Sequence, residues 1–380
     1  MSKQSRHGFV DALRGFSLLG ILVVNVEYIF QHPDLGFGEF SSGIDQTVRW
    51  MLAALGQLKI YPIFALLFGY GLSIQRERAR SADLDLGPRY RRRMFGLVLL
   101  GVVHGVLFFP GDILVIYAVV GSLASRLAAR GTASLLRIAG WVYGVASMIW
   151  LGLGILDAGS YTPSTAMPSA NEMAALAHGS FPAVVAVLAQ QWVIVLLFLS
   201  LVQGPAVFAA FLVGIALGRT RILAEPASHR ALANRVLRWA PAGVALSAVG
   251  ATLTVVGGRW ETLGFAIGFA SSPLMAAAYI AILARTIGRR SSRVSQVLEA
   301  SGRMSLSVYL LESFVAATLA YGYGFSLIGD VGPLAAMGWA LGIWLGLSAF
   351  AVVWLGLFRI GPLEWVLRSF TYGSRQPLRR

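Results

Sequence analysis

The chain has no cysteine, which excludes disulfides and thiol chemistry but leaves the compartment open. It is also short of charge. Asp, Glu, Lys and Arg make up 13% of its 380 residues, against 57% hydrophobic, and acids are scarcer than bases, 17 to 31. A soluble domain carries about 25% charged residues, so this composition points to an integral membrane protein. No long alternating pattern suggests a β-barrel. Catalytic signatures are missing as well: no GxSxG, no phosphate-cradling P-loop and no dinucleotide fingerprint. The five histidines, His7, His32, His104, His178 and His229, show no metal-ligand spacing, so no metal is expected.

What is present is a succession of apolar runs of about 18 residues or more, each long enough to cross a hydrocarbon core of about 30 Å as helix. Helices satisfy their own backbone groups in lipid. The expected fold class is therefore all-α: a polytopic integral membrane bundle of about ten transmembrane helices with both termini cytoplasmic. The spans are read as 9–30, 58–75, 94–110, 113–129, 134–156, 192–218, 239–257, 262–284, 304–328 and 333–357. The first begins near Phe9, has no small-residue cleavage site after it and carries Asp11 and Arg14 at its start, so a retained helix is expected rather than a signal peptide.

With this topology, all but Arg49, Lys59 and Arg259 of the 31 Lys and Arg residues fall on the cytoplasmic side. That is the positive-inside asymmetry. The basic charge is thus a topology signal, and no nucleic-acid motif accompanies it. Organisation is read as an N-terminal half (1–156), an outer loop (157–181) without Lys or Arg that looks like flexible polar cover, and a C-terminal half (182–380) ending in a basic tail. Residues 182–218 are too long for one span, and Gly204-Pro205 is a candidate kink. Val48, Met51, Leu52 and Leu55 fall at helical spacing, suggesting an interfacial helix in the outer connection 31–57. Trp365, Phe370 and Tyr372 in the basic tail fit a helix end on anionic headgroups. One internal echo, FGYGLSI (68–74) against YGYGFSL (321–327), has the placement of an inverted repeat but is only seven residues long.

Ionisable groups inside a membrane cost about 2.5–3.5 kcal/mol each on insertion scales, so each asks for a reason. His104 stands ten residues into its span, toward the outer half, and is read either as interhelical packing or as a general base. Asp112 follows the Pro110-Gly111 break, where it caps the next helix, orients His104, or does both. Asp11 and Arg14 are spaced i, i+3 for an ion pair. Asn25 and Glu27 lie toward the outer end of the same helix. His32, beside Pro33 and Asp34, reads as an exposed turn still available for chemistry. Ser305, Tyr309 and Glu312 form one polar stripe at i, i+4, i+7, with Glu312 near mid-membrane as interior glue or a site residue. The bases of 76–93, including Arg91, Arg92 and Arg93, together with Arg126 and Arg130, would attract phosphates, although topology explains them without a ligand.

The stretches VDALRGFSLLGILVVN (10–25), FALLFGYGLSIQRER (64–78), LLGVVHGVLFFPGDILVIYAVVG (99–121) and GRMSLSVYLLES (302–313) resemble, in order and over nearly the whole chain, the signatures of the YeiB-like family. These are bacterial inner-membrane proteins whose C-terminal half is a domain of unknown function, number four-eighteen. The resemblance implies a multi-pass protein of the inner membrane. It also implies a more distant similarity to heparan-α-glucosaminide acetyltransferase and the acyltransferase-three proteins, with which Asp11, Arg14 and Gly15 share an Asp-x-x-Arg-Gly start. Those proteins use cytoplasmic acyl-CoA to acylate an acceptor across the bilayer. By that resemblance the expected function is transfer of an acyl group, most readily acetyl, from acyl-CoA to an envelope glycan or lipid. His104, Asp112, His32 and Glu312 are the catalytic candidates, Arg14, Arg91, Arg92, Arg93 and Arg126 the donor contacts, and Asn25, Ser305 and Tyr309 the substrate passage. His32 matches only loosely the histidine just past the first helix that is proposed as catalytic in the heparan-α-glucosaminide enzyme, and His104 and Asp112 fit the family pattern better. Val308 and Glu312 depart from the Asn and Gln that similar proteins often carry. The alternatives are a proton-coupled transporter of an anionic or amphipathic solute using His104, Asp112 and Glu312 as a relay, and a non-catalytic membrane partner. The bilayer is the expected partner, and a homo-oligomer is left open.

Overall fold

The computed structural model describes residues 8–31, 43–160, 170–287 and 292–379; His32 lies outside them. Among the described residues the chain is helical, with one isolated bridge between Phe358 and Arg379 and no strand. Six stretches are long and apolar enough to cross a membrane: Gly8–Phe30, Gly43–Ser81, Thr132–Ser160, Phe181–Val202, Gly258–Thr286 and Pro333–Leu357. Arg230–Leu237 and Ala240–Val256, bent by 40° at their junction, meet that test only when taken together, and Leu114–Leu127, Gly204–Thr220 and Ser305–Ala320 are shorter apolar helices. This is an all-α polytopic membrane protein.

In chain order the helices are α1 (Gly8–Phe30), α2 (Gly43–Met51), α3 (Tyr61–Ser81), α4 (Gly87–Leu107), α5 (Leu114–Leu127), α6 (Thr132–Ser160), α7 (Ala170–His178) and α8 (Phe181–Val202). Then follow α9 (Gly204–Thr220), α10 (Arg230–Leu237), α11 (Ala240–Val256), α12 (Glu261–Thr286), α13 (Arg293–Arg303), α14 (Ser305–Ala320), α15 (Pro333–Leu357) and α16 (Pro362–Tyr372). Proline opens several of them, where its missing N–H costs nothing.

Several sequence expectations need correction. The run 192–218 is not one kinked span but parts of α8 and α9, because Pro205 opens a new first turn after Gln203. The helix expected to lie in the interface near 48–55 descends into the bundle. It passes from α2 into a π-turn at Leu52–Gly56, breaks, and resumes as α3. The break survives because other helices satisfy its carbonyls: Ser247 donates to Ala54 O at 2.6 Å, Tyr279 to Leu55 O at 2.7 Å and Ser272 to Leu58 O at 2.6 Å. Lys59, placed by sequence at the outer side, is only 1% exposed and donates to Ala53 O at 2.6 Å. The loop 157–181 is partly helix, since α7 buries Leu176, whose carbonyl accepts from Gly322 N–H. The two copies of the echo differ in structure: 68–74 is the middle of α3, whereas 321–327 is a turn after α14.

Glycines let helix backbones meet. A Cβ on Gly69 of α3 would lie 2.1 Å from Phe211 O of α9, and one on Gly214 would lie 2.0 Å from Leu66 O. These two helices run parallel along a small-residue seam, the packing that membrane helices favour. In the same way Gly15 of α1 meets Leu298 of α13, and Gly264 of α12 meets Gly250 of α11. Phe64, Phe68, Tyr117 and Phe211 fill the space between α3, α5 and α9. The amphipathic α16 rests on α4, with Leu367 and Phe370 against Gly96.

Candidate functional site

α4 and α5 form a hairpin. His104 stands in the last turn of α4, and its carbonyl accepts from both Phe108 N–H at 3.0 Å and Phe109 N–H at 3.1 Å. Pro110-Gly111 then reverses the chain. The returning Asp112 presses on α4 at Gly101, where a Cβ would come within 2.6 Å of Asp112 Oδ2. Only a residue without a side chain admits the carboxylate there.

The two polar residues of the hairpin meet directly. His104 Nδ1 is 2.9 Å from Asp112 Oδ1, and both side chains are 0% exposed. Asp112 Oδ2 accepts from Val115 N–H at 3.0 Å, so one carboxylate both caps the start of α5 and holds the imidazole. The ring tautomer follows from the partner. A carboxylate accepts only, so Nδ1 carries a proton and donates it to Asp112, leaving Nε2 as the ring nitrogen turned away from the carboxylate. That Nε2 is buried and has no hydrogen-bond partner among the described residues.

Other helices close the site. Tyr309 of α14 stacks obliquely on the imidazole, ring centroids 4.8 Å apart, and its hydroxyl accepts from Ile113 N–H at 3.4 Å. Glu312, one turn further along α14, is fully buried with neither carboxyl oxygen hydrogen-bonded among the described residues. Trp192 of α8 lies against Gly105, where a Cβ would be 2.1 Å from its Nε1, and that N–H is likewise without a partner. Leaving such groups unpaired costs about 1–3 kcal/mol each, so this cluster of buried polar atoms sets the spot apart from plain apolar core. His104 stands eight residues from Gly96, where α16 packs, so it lies about 12 Å deeper along α4.

The remaining sequence candidates divide. Arg14 pairs with Asp11 at 2.6 Å, as its spacing implies. Arg93 lies over the Phe68 ring, 6.0 Å from its centroid, with a buried Nε that has no hydrogen-bond partner among the described residues. Arg93 and His104 are eleven residues apart on α4, close to three whole turns, so both lie on one side of that helix. Arg91, Arg92 and Arg126 are exposed on the basic face. Asn25 and Ser305 are half-buried, and neither is hydrogen-bonded to the His104–Asp112 pair.

Sequence reasoning missed three further features. Trp192 came with no signal beyond its neighbouring apolar run. Gln57 donates to Glu27 Oε2 at 2.8 Å beside the broken span. Glu364 of α16 accepts from the amides of Leu306 at 2.7 Å and Ser307 at 3.2 Å, and from the Ser307 hydroxyl at 2.5 Å, capping α14 from outside. Burial pushes the Glu364 carboxyl above its ordinary range, opposed by the bond from Ser307.

Comparison with known proteins places residues 217–374 in a match to the family described as protein of unknown function (DUF418). The chain is 31% identical to uncharacterized protein YeiB of Escherichia coli (strain K12), over 98% of each chain. It is 29% identical to uncharacterized protein YxaH of Bacillus subtilis (strain 168), over 98% of this chain and 96% of that one. An uncharacterized 39.9 kDa protein from the amylase 3' region of Bacillus acidopullulyticus is 24% identical over 98% of this chain.

Proposed function

The chain belongs to the YeiB-like family, and from that premise we propose that it is an acyltransferase of the bacterial inner membrane, with its basic face cytoplasmic. It moves an acyl group, most readily acetyl, from acyl-CoA to a hydroxyl of an envelope glycan or lipid. The observation that carries this reading is the His104–Asp112 pair: a buried imidazole held by a carboxylate at Nδ1 with Nε2 left bare. That is how a general base is presented to a hydroxyl nucleophile.

In the transfer, His104 Nε2 takes the proton of the acceptor hydroxyl as its oxygen forms a bond to the thioester carbonyl carbon. The carbon–sulfur bond then breaks, and the imidazolium returns its proton to the departing thiolate. Asp112 holds the ring and stabilises its charged form. Tyr309 fixes the hairpin backbone through Ile113. Arg93 and Arg14, on the basic face, bind donor phosphates. The side of α4 between Arg93 and His104, about 16 Å of helix, is where the donor's extended thioester arm lies. The test is to give membranes radiolabelled acetyl-CoA and follow label into envelope glycan and lipid. Wild type transfers, His104→Ala inserts normally and does not, and equal labelling by that variant overturns the proposal.

A second reading, proton-coupled transport, is favoured by one observation: a span broken within the bundle beside the buried Lys59. Broken helices line solute sites in many transporters. Uptake into liposomes driven by a pH gradient, without chemical change of the solute, identifies it.

A further inference from the structure

A cavity of about 600 Å³ opens between α3, α6, α9, α10 and α12, away from the His104 hairpin. Its walls are almost wholly apolar, with Leu66, Val213, Ala277 and Ile280 along the sides and Leu232 and Val236 of α10 across one end. The volume is that of a small-molecule site, which ranges over about 300–1,000 Å³.

Its dimensions identify the class of occupant. Along α12 the lining runs from Ser272 to Ala284, about 18 Å of helix, and along α9 from Ala206 to Leu217, about 17 Å. One leaflet of a bilayer is half of a hydrocarbon core about 30 Å thick, so the cleft is one leaflet deep. Its lining runs from Ser272 and Tyr143, about midway along α12 and α6, to the ends of α9 and α12, where Arg219 and Arg285 follow the last lining residues.

The mouth is charged in one sign. α10 lines it with Ala233, Val236 and the part-exposed Leu232, while Arg230, Arg235 and Arg238 are exposed. Between 219 and 238 one acid, Glu225, stands against five arginines. Arg221 is paired with Glu77, and Arg219 is bonded to Ala128 O and Arg130 O. Arg230, Arg235 and Arg238 make no ion pair among the described residues. An amphipathic helix with arginines outward over an apolar slot matches the two halves of an anionic lipid.

We propose that this cleft holds one acyl chain of an anionic phospholipid from the leaflet on the basic side, with the headgroup phosphate on the α10 arginines. The occupant is not the acyl donor of the transfer reaction. The α3–α9 seam, closed at Gly69 and Gly214, and the rings of Phe64, Phe68 and Tyr117 stand between the cleft and α5. That packing separates the cleft from the hairpin that carries His104.

The test is native mass spectrometry of the full-length protein in mild detergent, offered equal amounts of phosphatidylglycerol and phosphatidylcholine. Wild type is expected to retain one phosphatidylglycerol with a preference of roughly tenfold or more. The triple variant Arg230→Gln, Arg235→Gln, Arg238→Gln, altered at exposed positions, loses that preference yet still binds one lipid. Gly140→Leu with Gly144→Leu fills the cleft at positions where a Cβ meets nothing within 4 Å, so the fold is kept and the bound lipid is lost. Equal retention of the two lipids by wild type overturns the proposal, as does an undiminished lipid complement in the leucine variant. Palmitoyl-coenzyme A displacing phosphatidylglycerol from wild type also overturns it, and assigns the cleft to a thioester.

Discussion

Gly15 of α1 stands so close to Leu298 of α13 that a methyl group on it would lie 2.1 Å from the Leu298 carbonyl oxygen. The obstacle is backbone, which cannot rotate away. Gly15→Ala should therefore destabilise the protein by about 1–3 kcal/mol, the usual cost of overpacking. Gly140→Ala is the control, since a Cβ there meets nothing within 4 Å; removing a mid-helix glycine should raise stability by about 0.5–1 kcal/mol. Tryptophan-fluorescence melts of the purified variants compare the two.

His104→Ala and Asp112→Ala should each lower acetyl transfer by about 10²–10⁴-fold, the range for a lost general base. Combining them should cost little more than either alone, because the two residues act as a unit. The measurement is the rate of label transfer in membranes holding equal amounts of each protein. Independent, multiplying losses would separate the pair.

Glu312→Gln keeps the shape of a fully buried side chain and removes its acid. The acyltransfer mechanism does not use that proton, so labelling should continue within a fewfold of wild type. A proton relay needs it, so pH-driven uptake would stop. Running both assays on this one variant separates the two functional readings.

Glu364 and Ser307 should prove coupled. Ser307→Ala removes a hydroxyl that donates to Glu364 Oε2 and accepts from Leu363 N–H at 3.0 Å, and should cost about 1–2 kcal/mol. A pH effect accompanies it. The folded protein holds the Glu364 proton more tightly than the unfolded chain, whose ordinary value is 4.5. Stability from this group is therefore greatest below that value and declines as pH rises toward the folded one. Glu364→Gln should remove this part of the decline in melts recorded across the acidic range.

The hairpin pair was legible because its partners are local. His104 and Asp112 are eight residues apart across a Pro-Gly reversal, and such a turn returns the second residue beside the first. The ion pair of Asp11 with Arg14 was legible for the same reason. Tyr309 was visible as part of a stripe, but not its stacking on the imidazole, since α14 lies about two hundred residues away. The burial of Lys59 was not legible, because Arg49, Asp45 and Gln46 make its flank look like a water-exposed connection. Its burial depends on Ser247, Ser272 and Tyr279, which satisfy the broken backbone from α11 and α12.

Membrane residence, helical class and a basic face were determined by the amino-acid order alone, because each follows from composition and near-neighbour periodicity that lipid reads directly. Which polar groups face one another inside the bundle was decided only on folding. Small-residue seams choose which helices touch, and a group cut off from water takes its partners from whichever helix that choice brings.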